Sequence, residues 1–178
     1  MNTHLSRPIS IMRRLACAVA VLAVGVAGSL SAQSAARVVA ATPEAAGEYL
    51  LIVAGCHDCH TAKWSETQGK VAKDDLLLGS NVGYRGPWGT SYAPNLRLIL
   101  GRMTEARWVE VLTTADDGEG KPPMPYHNSA RTAPEDLKAM YAYIKSLGVK
   151  GERTPRSVPA GQEPTTPYIN MVPVAPKP

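Results

Sequence analysis

The sequence predicts an all-α domain of short helices joined by long loops. Three observations predict it. Three segments carry a capping residue followed by apolar positions at helical spacing, near residues 42–55, 105–114 and 132–147. The stretch between the first two, residues 61–94, is punctuated by Gly79, Gly83, Gly86 and Gly89 without the period-two alternation of a half-buried strand. The last 30 residues hold seven of the 15 prolines and no periodic apolar pattern at all. The whole chain has 178 residues, 44% hydrophobic and 19% charged, with 15 Gly, three Cys and no Phe. That balance excludes a disulfide-stapled miniprotein, a multi-span membrane protein and a wholly disordered chain.

Residues 1–36 read as an export signal, with Arg13 and Arg14 before an apolar run over 15–27 and small residues up to Ala36. Either Ser29-Leu30-Ser31 or Ser34-Ala35-Ala36 supplies a cleavage context, so the expected location is the periplasm. A membrane contact is expected only of an uncleaved leader, whose apolar run is short for a span. Three of the 19 basic residues lie in this leader, which leaves 16 against 15 acids. A nearly neutral mature chain gives no reason to expect nucleic acid as a partner.

The domain proper is expected over residues 42–148. Thr42 is placed to cap a first helix, with Pro43 in its first turn and Glu44 near the positive end of the helix dipole. This helix delivers the chain into Cys56. Thr104 is placed to cap a second helix over 105–114, with Trp108, Val109, Val111 and Leu112 as its apolar positions. Three prolines then stiffen the segment Pro122-Pro123-Met124-Pro125. Thr132 and Glu135 have the spacing of a capping box for a last helix, whose stripe is Leu137, Met140, Tyr141, Ile144 and Leu147. Gly148 is its stop signal, and residues 149–178 are expected to form a poorly structured tail, laid over the domain if anywhere.

Cys17 leaves with the leader, so only Cys56 and Cys59 remain, in the sequence Cys56-His57-Asp58-Cys59-His60. Thiols three apart on one helical turn suit the two vinyl groups on one edge of a haem, and the following His suits the iron as first axial ligand. A structural zinc site or an iron-sulfur cluster wants further Cys ligands, which the mature chain lacks. A thioredoxin-like redox pair wants a βαβ surrounding, and the flanking sequence has none.

These residues resemble the class I, mono-haem bacterial c-type cytochromes, especially those similar to the cytochrome subunits of periplasmic dehydrogenases. The likeness rests on Cys56 to His60 behind a helix, Gly86-Pro87-Trp88-Gly89, Ala93-Pro94-Asn95-Leu96, Pro122-Pro123-Met124-Pro125-Tyr126 some sixty residues beyond the Cys pair, and the final amphipathic helix. One departure is Arg97-Leu98-Ile99-Leu100-Gly101, where relatives tend to carry a polar turn. The resemblance implies a class I cytochrome c-like domain around one covalently bound haem, with the first and last helices crossing. Gly47 would permit their close approach, against Tyr141 or Tyr143.

Under this resemblance Cys56 and Cys59 hold one haem c through thioethers and His60 is an axial ligand of its iron. Met124 is the sixth ligand expected, because flanking prolines hold its thioether on a rigid arm; the rival is His127, and the alternative role for Met124 is packing on the porphyrin. Tyr84, Arg85 and Trp88 are candidate donors to the haem propionates. A backbone carbonyl near Pro94 is a candidate to orient the outer nitrogen of His60. His57 occupies a variable position of the motif and is expected at the surface.

The function implied is single-electron transfer, not catalysis, by a soluble carrier or by the electron-transfer subunit of a dehydrogenase or oxidase complex, with redox proteins as donor and acceptor and a periplasmic dehydrogenase as one candidate. An open sixth position would instead make a haem enzyme or gas sensor. Asp116, Asp117 and Glu119 beside Lys121 read either as a patch that steers a basic partner or as a solvated turn that ends the helix.

Overall fold

The computed structural model describes residues 37–115 and 122–173. The expected leader, and Asp116, Asp117, Glu119 and Lys121, lie outside the described residues. Among the described residues there are six α-helices: α1 (Pro43–Val53), α2 (Cys56–His60), α3 (Leu96–Arg102), α4 (Glu105–Thr114), α5 (Tyr126–Ser129) and α6 (Pro134–Ser146). Three short strands, β1 (Gly83–Gly86), β2 (Gly89–Tyr92) and β3 (Tyr168–Asn170), join them, so the all-α expectation holds for the helical core and fails for the loop. None of these helices is long and apolar enough to cross a membrane.

Two of the three expected caps form. Thr42 Oγ1 accepts from the Ala45 N–H at 3.1 Å and Thr104 Oγ1 from the Arg107 N–H at 3.2 Å, each satisfying a first-turn donor that the helix cannot. The capping box at Thr132 does not form. Pro134 disfavours the helical region for the residue before it, so Ala133 stays extended and α6 begins at the proline itself. Gly148, at φ +73°, takes the left-handed conformation that ends the helix, and its N–H reaches the Lys145 carbonyl at 3.0 Å.

The apolar run after Asn95 is a helix that the sequence reading lacked. Asn95 Oδ1 caps α3 by accepting from the Leu98 N–H at 3.1 Å, and Leu96 and Leu100 enter the core. Arg97 is buried on the same helix because its guanidinium serves the end of α6. It donates to the carbonyls of Gly148 at 2.7 Å and Leu147, and to that of Asp74 at 2.8 Å. A cation at a helix C-terminus neutralises both the orphan carbonyls and the negative end of the dipole.

The core is built from Leu50, Leu51, Leu100, Trp108, Leu112, Leu137, Met140, Tyr143 and Ile144. The Trp108 indole N–H inside it is satisfied by the Leu137 carbonyl at 2.8 Å. Helices α1 and α6 cross at Gly47, as the resemblance implied, and the tyrosine concerned is Tyr143. A Cβ on Gly47 would lie 2.0 Å from the Ala139 carbonyl oxygen and 2.9 Å from Tyr143 Cβ. The Tyr143 hydroxyl closes the crossing by donating to Glu48 at 3.0 Å.

Strands β1 and β2 form an antiparallel hairpin with Gly83 opposite Tyr92 and Gly86 opposite Gly89. Strand β3 pairs in parallel on the other side of β1, with Gly83 opposite Tyr168 and Arg85 opposite Asn170. The segment after Gly148 is therefore laid along the hairpin with regular structure of its own. Thr90 and Val158 exchange backbone hydrogen bonds at 2.8 Å in both directions, and Gly89, at φ +98°, faces the Val158 carbonyl, which a Cβ would meet at 2.1 Å.

The Gly47 contact gives a direct test. Gly47→Ala gains about 1 kcal/mol of helix propensity, but its Cβ meets backbone, which yields only if the helices separate. The clash is expected to win, with a net loss of about 2 kcal/mol in unfolding free energy by urea titration; a stabilised variant would show that the helices are not held this closely.

Candidate functional site

The motif helix α2 begins because Gly55 adopts the left-handed conformation, φ +70°, so that the chain leaves α1 and re-enters a helix at once. Cys56 and Cys59 sit three residues apart on it, half-buried and not joined to each other. Burial, assisted by Cys59 and Asp58, pushes the Cys56 thiol up to about 11. It is thus a neutral thiol at physiological pH, the opposite of the depressed value that a thioredoxin-like nucleophile requires.

His60 is buried, and its Nδ1 lies 2.8 Å from the Pro94 carbonyl oxygen, which can only accept. The proton is therefore on Nδ1, and Nε2 presents its lone pair. Burial lowers the pKa of His60, which keeps the ring in this neutral, ligating form. The backbone around it is held too. The His60 carbonyl accepts from the Gly79 N–H at 2.8 Å, and the Thr61 hydroxyl accepts from the Leu77 N–H at 2.9 Å.

His57 is the clearest departure from expectation. It is only 1% exposed, with its ring stacked on Trp64 at 4.2 Å between centroids and its Nδ1 hydrogen-bonded to the Thr61 hydroxyl at 2.8 Å. The cause is the loop after α2, which folds back on the helix: the Ser65 hydroxyl donates to the Asp58 carboxylate at 3.4 Å, beside the stacked Trp64 ring. Thr61 and Trp64 stand four and seven residues beyond His57, the spacing of one helix face, and that pattern was the available clue.

Met124 is half-buried and packs against the core, as Cys56 and Trp64 do. Its proline arm is tied to β2, where the Ser91 hydroxyl donates to the Pro122 carbonyl at 2.5 Å. His127 is exposed on α5, Met140 lies in the core, and Met171 is exposed. The three loop donors are placed differently from one another. Tyr84 lies near Cys59, and burial first, then that thiol, raises its pKa. Arg85 is bonded to Glu163, at 2.5 Å from each of its two outer guanidinium nitrogens. Trp88 Nε1 is buried without any hydrogen-bond partner.

A c-type haem fits this set on observations of the chain alone. Two unjoined thiols stand one turn apart, a buried imidazole offers Nε2, and the Trp88 N–H lacks the acceptor that a buried donor normally has. The chain is similar to cytochrome subunits of dehydrogenases. It is 30% identical over 105 residues to the fructose dehydrogenase cytochrome subunit of Gluconobacter japonicus, covering 55% of this chain and 20% of that protein. It is also 30% identical over 116 residues to the cytochrome c subunits of quinone alcohol dehydrogenases from Gluconacetobacter polyoxogenes and Komagataeibacter europaeus, covering 64% of this chain and 23% of each. The chain thus spans about a fifth of the length of the curated relatives it matches. No protein-family model and no solved structure matches it.

Burial lowers the pKa of His57 below its ordinary 6.5, so the unfolded chain takes up this proton at a higher pH than the folded one. Stability contributed by neutral His57 is full above about pH 7.5 and is lost as pH falls through 6.5 toward the folded value, at up to about 1.4 kcal/mol per pH unit. The unfolding free energies of wild type and His57→Gln, measured between pH 8 and pH 5, are expected to diverge in that window. Parallel profiles would contradict the buried neutral ring.

Proposed function

We propose that this chain is a class I, mono-haem c-type cytochrome that transfers single electrons in the periplasm and serves as the electron-transfer subunit of a dehydrogenase complex or as a soluble carrier. The observation that carries the reading is the hydrogen bond from His60 Nδ1 to the Pro94 carbonyl, which fixes the tautomer and leaves Nε2 for iron. The one Cys56-to-His60 motif in this sequence supports one haem c. Cys56 and Cys59 hold it as thioethers, which suits two half-buried thiols that have no partner in each other. His60 and Met124 are the axial ligands. Met124 is supported over His127 because the first is packed inward on a tethered arm and the second is exposed.

Haem iron held in this way supplies one-electron cycling between Fe(III) and Fe(II). With His60 and Met124 both holding the iron, no substrate would need to reach the metal, in keeping with a carrier rather than an enzyme. The names of the relatives support a dehydrogenase as electron donor, and the leader read in the sequence supports export. Among the propionate donors, Trp88 has the strongest support, since its buried N–H is otherwise an uncompensated cost.

Denatured, acid-washed protein is expected to keep its haem and to show no titratable thiol at Cys56 and Cys59; two free thiols would refute the covalent attachment. Met124→Ala is expected to lower the midpoint potential by about 0.1 V or more and to let carbon monoxide bind the reduced form. His127→Ala is expected to change neither. The reverse pattern would make His127 the ligand, and carbon monoxide binding to the unaltered protein would favour the open-site reading.

A further inference from the structure

Residues 149–173 contain no buried side chain, yet they are fixed along the segment 79–95 at one point after another. The Asn95 amide donates to the carbonyls of Lys150 at 2.8 Å and Glu152 at 3.2 Å. The Tyr92 hydroxyl meets Thr166 Oγ1 at 2.7 Å, the Gly83 N–H reaches the Pro167 carbonyl at 2.9 Å, and the Met171 N–H reaches the Arg85 carbonyl at 2.8 Å. Such a segment adds little to the core. What it touches is the loop that carries Tyr84, Trp88 and the Pro94 carbonyl.

The most specific of these contacts is a two-pronged ion pair. Both outer nitrogens of the Arg85 guanidinium meet the two Glu163 oxygens at 2.5 Å, and the guanidinium lies over the Tyr168 ring, 5.1 Å from its centroid. Successive side chains of a strand point to opposite faces, so Tyr84 and Arg85 on β1 cannot both turn to the same group. Tyr84 therefore faces away from the tail-bound guanidinium, on the side near Cys59. Arg85, a candidate for the propionates in the sequence, is instead turned to the tail.

We infer that Glu163 is a positioning residue of the haem site: by drawing Arg85 to the outer face of β1 it locks the tail as a strap, and so holds Tyr84 beside Cys59 and the Pro94 carbonyl on His60. The inference rests on the haem reading proposed above. It accounts for a feature that stability alone does not, since Glu163 is 73% exposed in its side chain against 24% for Arg85, and exposed pairs contribute little to folding. Loss of the pair is therefore expected to loosen the strap and the loop while leaving the crossing of α1 and α6 intact. It also leaves the Arg85 charge without its counter-charge and weakens the bond that raises the basicity of His60, and both changes favour Fe(II).

The experiment compares full-length, haem-loaded wild type with Glu163→Gln and with the exchanged pair Arg85→Glu/Glu163→Arg. Three quantities are read: the rate of proteolytic cleavage within residues 152–166, the midpoint potential, and hydrogen exchange of the α1 and α6 amides. For Glu163→Gln, cleavage is expected to accelerate about fivefold, and the ferrous-to-ferric ratio at the wild-type midpoint to rise about twofold. Exchange in α1 and α6 should be unchanged, and the exchanged pair should restore the cleavage rate. Faster cleavage with an unchanged potential would reduce the pair to a structural tie and overturn the inference. Unchanged cleavage would show that Glu163 does not lock the strap, and would overturn it equally. Failure of the haem reading is detected separately, as a wild-type chain without covalent haem, while the cleavage comparison still reports on the lock.

Discussion

The hydrogen bond between His60 Nδ1 and the Pro94 carbonyl is the constraint on which the remaining architecture depends. It joins residues 34 apart in the chain, so the loop between them must leave the motif helix and return to it. The loop does so through a second pair of bonds next to the first, Gly79 N–H to the His60 carbonyl and Leu77 N–H to the Thr61 hydroxyl. His60 is buried and its acceptor is carried on backbone, and among the described residues no other donor is bonded to the Pro94 carbonyl. The imidazole therefore has one tautomer and one orientation before anything binds.

Around that bond the chain makes a core without phenylalanine. Leucines fill most of it, and its two large aromatic rings, Trp108 and Tyr143, each carry a polar atom that must be satisfied. They are satisfied by the Leu137 carbonyl and by Glu48. The close crossing at Gly47 allows α1 to lie against the Ala139 and Tyr143 face of α6, which compensates in contact for what the core lacks in ring volume. The motif helix follows α1 after two residues, so the position of the crossing also sets the position of Cys56 and Cys59.

What was legible in the sequence was local. The caps at Thr42 and Thr104 and the stop at Gly148 follow from side chains or a glycine acting within four residues, and the Cys56-to-His60 motif is contiguous. What was not legible depends on partners far along the chain. Strand β1 has a local partner in β2, but its parallel partner Tyr168–Asn170 lies more than eighty residues later, and four-residue strands between glycines show no alternation to detect. Arg97 reads as an interruption of an apolar run until its partners at the end of α6 are known. His57 fails in another way: its burial was encoded at helical spacing by Thr61 and Trp64, but Trp64 lies beyond the helix, where that spacing has no force until the loop folds back.

The distribution of unsatisfied and neutral groups gives the site its character. Buried donors in a folded chain are almost always paired, and here the caps, the core tyrosine and the core tryptophan all are. The exceptions among the described side chains are Trp88 Nε1 and Thr90 Oγ1, which lie on or beside the hairpin that the C-terminal strap holds in place. A chain that pairs its buried polar atoms elsewhere and leaves an indole N–H without a partner, on the loop that also carries the acceptor for His60, is arranged for an acceptor from outside the protein. The other groups facing this problem are uncharged: a thiol raised by burial and an imidazole kept neutral by it.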